Sequence, residues 1–350
     1  MSPPSDLARL KEKELHAATR PFEEVSLIRS WWHIGSTFAC MIVAVFLAGA
    51  LPWWPLRLAC SILGGLILVR AFIVLHDSLH QAIARGSRVA RILINFYGLL
   101  VLTPPRGWRH SHNYHHAHVG KALPIMPPGS PLVTSNIGAY SLMSTEAWAR
   151  AGGLERLAYR LSRHPLLMMS AYVTVFFFSL CVAPLMREPR KNWDGAVSIV
   201  LHISLVAFVW WMWGFQTVAL TVLLPASIAA AAGAYLFFVQ HNYPGMKIFP
   251  VGEWSHYRGA VESSSYLQCG PLMRWFTGNI GYHHVHHLNA LIPFYRLPEA
   301  MAAIPELQHP VVTSFRPRDV WACLRLNLWD AERQQLVSYR EANLAAGAVH

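Results

Sequence analysis

Three long and strongly apolar stretches of the sequence carry no charged side chain. No Asp, Glu, Lys or Arg occurs at 30–56, 165–186 or 195–246. A transmembrane helix needs about 20 consecutive apolar residues, so stretches of this length predict segments that enter a membrane. The composition agrees, because only 13% of the 350 residues are charged, compared with about 25% in an ordinary soluble domain. These observations exclude a typical soluble globular protein.

We predict an all-α integral membrane protein with four transmembrane helices arranged as two hairpins. The first hairpin covers about 31–51 and 56–75, joined by a Pro-Trp-Trp-Pro turn whose tryptophans suit the membrane interface. The second covers about 196–213 and 216–239, joined by an uncharged, tryptophan-rich turn. Arg70, near the end of the second span, is expected to extend towards the lipid headgroups.

Two further apolar segments are predicted to lie at the membrane surface, or to dip into it, without crossing. Segment 165–186 has basic residues on both flanks, which indicates that both flanks lie on the cytoplasmic side. Segment 92–103 is too short to cross. Four crossings then leave both termini and all the histidine-rich regions on the cytoplasmic side. The expected organisation is a cytoplasmic N-terminal tail at 1–30, a membrane domain at 31–301 and a cytoplasmic C-terminal tail at 302–350.

The chain carries a formal net charge of +11. Most basic residues flank the apolar stretches, which favours attraction to anionic lipid over binding to nucleic acid. The five cysteines are scattered and form no CxxC motif, so neither a disulfide framework nor a zinc ribbon is expected. Residues 124–131 form a proline-rich loop by composition, and 316–344 is predicted to be an amphipathic helical segment.

Nineteen histidines are present, and most fall into three short clusters with helical spacing. The clusters are His76 and His80; His110, His112, His115, His116 and His118; and His283, His284, His286 and His287. His241 follows the last predicted span directly. Residues three or four apart share one face of a helix, so each cluster presents several imidazoles together. Burying them near a membrane is costly unless a metal holds them, and their number suits two ions.

The remaining histidines are isolated, and we expect ordinary hydrogen-bonding roles for them. They are His16, His33, His164, His202, His256, His309 and His350. Imidazole-rich sites favour iron, copper, zinc or nickel. A carboxylate di-iron bundle needs paired Glu-x-x-His motifs, and only residues 253–256 match that motif. The sequence therefore predicts an imidazole-ligated metal centre rather than a carboxylate bundle.

In order, the clusters have the patterns HxxxH, HxxHH and HxxHH, placed after the second span, on the following cytoplasmic stretch and after the fourth span. They resemble the three histidine boxes of the integral-membrane fatty acid desaturases. The surrounding residues are most similar to the acyl-lipid Δ12 (omega-6) branch, in Trp108-Arg-His-Ser-His112, Gln240-His241-Asn242 and the Ile-Pro-Phe-Tyr-Arg-Leu-Pro segment at 292–298. The resemblance covers about 31–301.

The resemblance implies two irons held by nine histidines. These are His76, His80, His112, His115, His116, His241, His283, His286 and His287. His110, His118 and His284 are surplus to the pattern; with Asp77 and Asn113 they are candidates for hydrogen bonds that orient the ligands. A second box shifted onto His118 stays open as an alternative.

The resemblance also implies the reaction, which is the introduction of a cis double bond into an acyl chain with O2, two electrons and two protons. The implied partners are a fatty acyl lipid, membrane lipid and an external electron donor, ferredoxin or cytochrome b5, since no His-Pro-Gly-Gly haem motif occurs. Segment 166–185 and the second hairpin are expected to wall the acyl tunnel. Five basic residues are candidates for contacts with phosphates or with an acidic donor: Arg106, Arg109, Lys121, Arg258 and Arg274.

Two alternatives remain at this stage. A carotenoid ketolase or hydroxylase resembles the desaturases in its histidine boxes, although the context of His241 and the residues at 288–298 favour the fatty acyl branch. A membrane metal transporter or sensor would place polar ligands near the middle of the bilayer. Only His202 lies well inside a predicted span, which disfavours that class.

Overall fold

The structure is a computed structural model that describes residues 6–122 and 142–347. Helices account for most of these residues. Numbered along the chain, they are α1 (Asp6–Thr19), α2 (Leu27–Ala50), α3 (Trp54–Leu79), α4 (Arg88–Leu100), α5 (Pro105–His118), α6 (Thr145–Arg150), α7 (Gly153–Ser162), α8 (Pro165–Met169), α9 (Ala183–Arg187), α10 (Trp193–Val218), α11 (Leu224–His241), α12 (His256–Glu262), α13 (Pro271–Phe276), α14 (His283–Leu288), α15 (Leu297–Ala303), α16 (Pro317–Leu324) and α17 (Tyr339–Gly347). π-Helices at Tyr172–Val182 and Ala219–Leu223 precede α9 and α11. The proline-rich segment 124–131 lies outside the described residues.

In the part of the chain that the structure describes, three helical segments are long and apolar enough to cross a membrane: Leu27–Ala50, Trp54–Leu79 and Trp193–His241. The first two correspond to the predicted spans of the first hairpin and are slightly longer than predicted. The third contains both predicted spans of the second hairpin. As a straight helix its 49 residues would reach about 73 Å, more than twice the thickness of a hydrocarbon core.

The third segment reverses direction at Gly214 instead of continuing straight. Gly214 has φ 79° and ψ 170°, a backbone conformation that glycine adopts far more readily than other residues. Both ends of the segment contact α5: Asp194 Oδ2 accepts a hydrogen bond from the Arg106 backbone N–H at 2.9 Å, and the His241 and His115 rings are 4.6 Å apart. The segment therefore folds into two arms, and the reversal lies in the tryptophan-rich turn.

The apolar segment from α8 to α9 lies across one end of these arms. On its N-terminal side, Arg163 donates a hydrogen bond to Asn242 Oδ1, just after α11. On its C-terminal side, Asn192 Nδ2 donates to the Pro184 carbonyl at 3.1 Å, just before α10. Because both flanks contact the same end of the hairpin, the segment does not extend to the end at which Gly214 lies.

Arg70 does not reach the headgroups, and that prediction was wrong. Its side chain is 3% exposed. Its guanidinium donates to Thr37 Oγ1 at 3.0 Å and to the Trp275 carbonyl at 2.5 Å, and it lies 3.1 Å from His33 Nδ1. Acceptors on α2 and α13 thus satisfy the guanidinium inside the protein, so Arg70 connects these helices to α3.

Five short strands among the described residues make the fold mostly helical rather than all-α. They are β1 (Met143–Ser144), β2 (Tyr266–Gln268), β3 (Val312–Ser314), β4 (Leu328–Asp330) and β5 (Gln335–Val337). β4 pairs in parallel with β1 and antiparallel with β5, and β2 pairs in parallel with β3. The prediction of a helix throughout 316–344 was therefore wrong. Leu328 and Val337 are buried in a cluster with Trp148, and this tertiary packing prevails over local helical periodicity.

Helix α3 packs closely against α11 in the centre of the helical core. A Cβ atom at Gly65 would lie 2.7 Å from Ile228 Cβ and 3.1 Å from the Pro225 carbonyl oxygen. The glycine therefore permits an approach that any larger residue would prevent. This contact matters for the site because the first histidine cluster is at the end of α3 and His241 is at the end of α11.

We expect Gly65→Ala to separate α3 from α11 and to lower the free energy of unfolding by about 1–3 kcal/mol, the usual cost of overpacking. Gly35→Ala on α2 is the matched control, because a Cβ there meets nothing within 4 Å and alanine favours helix. Thermal unfolding in detergent measures both. Equal melting temperatures for the two variants would contradict the close contact at Gly65.

Candidate metal centre

Four helices bring the histidine clusters together. His76 lies in the last turn of α3 and His80 follows at its C-cap, while His241 ends α11. The second cluster lies on α5 and the third on α14. The site is thus built where two long apolar helices end and two short polar helices cross them.

The imidazole nitrogens form two groups, within each of which the candidate ligand atoms lie within 4.8 Å of one another. Group A contains His76, His80, His112, His116 and His286, and group B contains His115, His241, His283 and His287. These are the nine histidines that the sequence patterns singled out. Within the described residues, no other histidine belongs to either group.

Each short helix contributes to both groups, a division that the sequence pattern did not predict. On α5, His112 and His116 join group A and His115 joins group B; on α14, His283 and His287 join group B and His286 joins group A. A helix turns about 100° per residue. Viewed along the helix axis, side chains four residues apart therefore differ in direction by about 40°. The side chain three residues after the first differs from it by about 60° in the opposite sense. Both helices therefore lie between the two groups.

In group A the Nε2 atoms approach one another in series. The distances are 3.0 Å from His76 to His112, 3.1 Å from His112 to His116 and 3.1 Å from His116 to His286. A neutral imidazole has one N–H, so a nitrogen that faces two others cannot satisfy both by hydrogen bonding. His80 Nε2 is buried and has no hydrogen-bond partner among the described residues. The donor set of group A is therefore suited to a cation.

Group B has the same geometry. Its Nε2 atoms are separated by 2.9 Å between His241 and His283, 3.1 Å between His283 and His287, and 3.1 Å between His287 and His115. Two ligands at right angles, each about 2.1 Å from a metal, are about 3.0 Å apart. Both groups thus fit a metal ion bound by imidazole nitrogens, and they are adjacent, because His116 stacks on His287 with ring centroids 4.2 Å apart.

Hydrogen bonds at the opposite ring nitrogen orient two of these imidazoles. His76 Nδ1 lies 2.9 Å from Asp77 Oδ1, so a proton on Nδ1 leaves the Nε2 lone pair directed into group A. The other carboxylate oxygen of Asp77 accepts the Phe294 backbone N–H at 2.7 Å. His241 Nδ1 lies 3.1 Å from the Ser263 carbonyl oxygen. Ser263 was missed at the sequence level, because a backbone acceptor has no sequence signature.

Burial keeps the clustered imidazoles neutral. It is the main cause that holds the pKa of His112, His116, His283, His286 and His287 well below the ordinary value, and neighbouring imidazoles lower it further. A neutral imidazole is the form that binds a metal. At neutral pH the lone pairs are therefore available without the cost of removing protons.

Trp108 supports group A and was not among the predicted site residues. Its ring stacks on that of His112 with centroids 4.2 Å apart and lies edge-on to that of His76 at 5.5 Å. It occurs four residues before His112 on α5, so helical spacing is the signal that could have identified it.

The candidate orienting residues other than Asp77 lie elsewhere. His110 and Asn113 are exposed and outside both groups. His118 lies 2.8 Å from the Tyr114 carbonyl oxygen through Nδ1 and stacks on the Tyr114 ring, so the geometry does not favour a second box shifted onto it. His284 Nε2 lies 3.1 Å from the Leu307 carbonyl oxygen, and burial lowers its pKa to about 4.

The isolated histidines make separate local contacts. His164 Nδ1 accepts the Leu166 backbone N–H, and His256 Nε2 lies 3.3 Å from the Leu288 carbonyl oxygen. His309 is exposed, and His350 lies outside the described residues. Among the five basic candidates, Arg109 is exposed and Arg258 pairs with Glu262.

The other basic candidates contact aromatic rings or a phenol. Arg106 lies over Trp193 and Lys121 over Trp254. Arg274 donates to Tyr282 Oη.

An apolar cavity of about 570 Å³ opens onto both groups. His76, His112, His115 and His283 line it at one end, and residues of α2, α3, α10, α11 and the π-helix Tyr172–Val182 line the remainder. The wall includes Gln240 and Thr221 of the same arm, which are about 28 Å apart along a helix. An extended chain advances about 1.2 Å per bond, so this distance corresponds to about 23 carbon–carbon bonds.

Comparison with known proteins agrees with this geometry. The fatty acid desaturase family matches residues 52–318. The chain belongs to the fatty acid desaturase family. A fatty acid desaturase of Bacillus subtilis is 30% identical over 336 residues, which cover 94% of this chain and 91% of the relative. An sn-1 oleoyl-lipid 12-desaturase of Synechocystis is 24% identical over 87% of this chain and 84% of the relative. A Δ12-oleate desaturase of Trichosanthes kirilowii is 24% identical over 80% and 78%.

Family membership confirms the resemblance inferred from the histidine boxes, and the chain is an oxidoreductase. It gives no support to a metal transporter or sensor. His202, the histidine on which that alternative depended, lies within hydrogen-bonding distance of Tyr172 and of the Leu100 carbonyl oxygen.

We expect His112→Ala and His283→Ala each to remove about one equivalent of metal from the purified desaturase, because each truncates a different group. His118→Ala is the matched control on α5, since its ring stacks on Tyr114 instead. Elemental analysis of well-folded protein measures the outcome. Full metal content in His112→Ala would contradict its assignment as a ligand.

Asp77→Asn tests the orienting hydrogen bond of the desaturase. The Phe294 N–H needs an acceptor, so the amide oxygen of the new side chain faces it. The amide NH2 then faces His76 Nδ1. Because NH2 can only donate, Nδ1 must accept, and the imidazole proton moves to Nε2. A ligand nitrogen that carries a proton cannot bind metal. We expect metal affinity to fall by about 10- to 100-fold, measured by chelator competition. Asp319→Asn, which alters a carboxylate bonded to Ser314, should leave the affinity unchanged.

Proposed function

We propose that the chain crosses the membrane four times, with both termini and the metal centre on the cytoplasmic side. The fold supports this arrangement, because α2 and α3 form one hairpin and the two arms that meet at Gly214 form another. The basic flanks of the segment from α8 to α9 also support it, since positive charge favours the cytoplasmic side. Exposed tryptophans at the two turns, among them Trp53 and Trp211, suit the opposite interface.

We further propose that groups A and B each hold one iron ion. Two ferrous ions bound there would supply activation of O2 for the removal of two vicinal hydrogens from an acyl chain. Overall, one O2, two electrons and two protons are consumed, the chain loses two hydrogens to form a cis double bond, and two waters are released. Because the ligands in both groups are neutral imidazoles, they would leave the positive charge of the ions uncompensated.

The residues of the protein determine where along the acyl chain the reaction occurs. The apolar cavity binds the acyl chain in extended form and excludes water, which protects the reaction from side chemistry. At one end of the cavity the acyl chain passes four imidazoles, those of His76, His112, His115 and His283. Because these rings are fixed by burial and by contacts such as the Asp77 hydrogen bond, a single methylene is presented to the metal centre.

We propose a Δ12-type desaturation of a lipid-linked acyl chain. The support comes from relatives, including the sn-1 oleoyl-lipid 12-desaturases of Synechocystis and Anabaena variabilis, at 24% and 22% identity. Electrons would come from an external carrier, ferredoxin or cytochrome b5. The name of a 23% identical omega-3 desaturase of Nostoc includes ferredoxin, which favours the first of these carriers.

The observation that carries the proposal is the opening of an apolar cavity onto two converging sets of imidazoles. Expression in a host that makes only saturated and monounsaturated chains, followed by gas chromatography and mass spectrometric location of double bonds, tests it. We expect a new double bond at position 12 in the wild type and none in His286→Ala, whose ring belongs to group A.

His309→Ala is the control variant, because this histidine is exposed and distant in sequence from the clusters. It should give the same products as the wild type. Elemental analysis should find iron in both active proteins. Unchanged fatty acids together with oxygenated carotenoids, in a host that makes carotenoids, would contradict the proposed substrate class.

A further inference from the structure

A polar pair interrupts the apolar wall of the cavity. Tyr172 is the first residue of the π-helix Tyr172–Val182, and His202 lies on α10. Both line the cavity, and Tyr172 Oη lies 2.5 Å from His202 Nε2. Neither residue belongs to the metal groups, so the pair has no role in the chemistry described so far.

The direction of the hydrogen bond follows from the other nitrogen of the ring. His202 Nδ1 lies 2.7 Å from the Leu100 carbonyl oxygen, which can only accept, so Nδ1 carries the proton. Nε2 is then the acceptor, and the Tyr172 hydroxyl donates to it. Leu100 is the last residue of α4, where a carbonyl lacks a partner within its own helix. His202 therefore connects α4 and α10 to the π-helix.

Polar contacts connect the π-helix to neighbouring elements. Helices of this type are rare and often occur at functional sites, and Cys181, the one residue of this π-helix that is fully buried, donates through Sγ to the Leu102 carbonyl oxygen. The hydroxyls of Thr174 and Ser179 bond to carbonyls within residues 167–174. The Tyr172 hydroxyl is thus a polar tie between the first turn of this helix and α10.

The tied helix is continuous with the wall beside group A. Phe176, about one turn after Tyr172, packs edge-on against Phe72 with ring centroids 5.9 Å apart. Phe72 in turn contacts Trp108 at 5.8 Å, and Trp108 stacks on His112. A displacement of the π-helix is therefore transmitted to the side chains that border both the acyl chain and the metal centre.

We propose that the hydrogen bond between Tyr172 and His202 determines which methylene of the acyl chain is presented to the metal centre. It does so by holding the π-helix against α10 and fixing the width of the cavity beside Phe72. An extended chain advances about 1.2 Å per bond, so a shift of about 1 Å in the wall is enough to change the carbon that reacts. This inference rests on the proposed function and specifies the control of bond position.

The test compares the double-bond positions made by four variants of the full-length protein: two single variants, the double variant that combines them, and a control. Tyr172→Phe keeps the ring and removes the hydroxyl, and His202→Leu removes the acceptor. Ser198→Ala is the matched control: it removes a 2.6 Å hydrogen bond from α10 to the adjacent Leu99 carbonyl, and Ser198 does not line the cavity. Products are analysed for double-bond position and chain length, and each protein for metal content.

We expect Tyr172→Phe and His202→Leu to retain their metal and to give a mixture of adjacent double-bond positions. Turnover should fall by no more than about 100-fold, the cost of a misplacement of about 1 Å. The double variant should give the same mixture as either single variant, because the two residues act as one unit. Ser198→Ala should retain the single position of the wild type.

Two results would overturn the inference alone. One is a single, unchanged double-bond position in both Tyr172→Phe and His202→Leu with an active wild type; the other is an equal spread of positions in Ser198→Ala. A wild-type protein that forms no double bond in any acyl chain would overturn the proposed function, and this inference with it.

Discussion

The convergence of buried, neutral imidazoles is the constraint on which the rest of the structure depends. Nine rings meet where they cannot satisfy one another by hydrogen bonding, because each neutral ring has a single N–H and several Nε2 atoms face two others. Burial lowers the pKa of rings such as His112 and His286, so protonation does not relieve this conflict. A cation in each group is the arrangement that relieves this conflict.

The long helices are arranged to maintain that convergence. α3 and α11 place His76 and His241 at the same end of the bundle, and the glycine at position 65 lets these helices pack in contact. α5 and α14 lie between the two groups and supply both. Asp77 links α3 to the segment after α14 through the Phe294 N–H. Each of groups A and B thus takes its histidines from three helices, and the two groups together use four distant parts of the sequence, so no single cluster forms a site by itself.

The sequence was sufficient for the features that depend on one-dimensional pattern. Charge-free stretches predicted the long helices, and histidine spacing, together with the position of His241 after the last span, pointed to the nine histidines that form groups A and B. Other features depend on tertiary contacts that leave no local signal. They are the division of α5 between two groups, the strands β4 and β5, and the burial of Arg70. Arg70 shows the reason clearly: its partners Thr37 and Trp275 lie far away in the sequence, and a charged residue near a helix end has the same pattern whether it faces lipid or protein.

A polar metal centre and an apolar substrate impose opposite demands on the same cavity, and the structure separates them along its length. Imidazoles occupy one end, and side chains such as Phe72, Phe176 and Val222 line the apolar region. Trp108 lies at the boundary, where one ring both supports His112 and contacts Phe72. Because an apolar chain makes no directional bonds, its register can be set only by the shape of this wall. Polar contacts that are satisfied within the wall can therefore control selectivity without binding the substrate themselves.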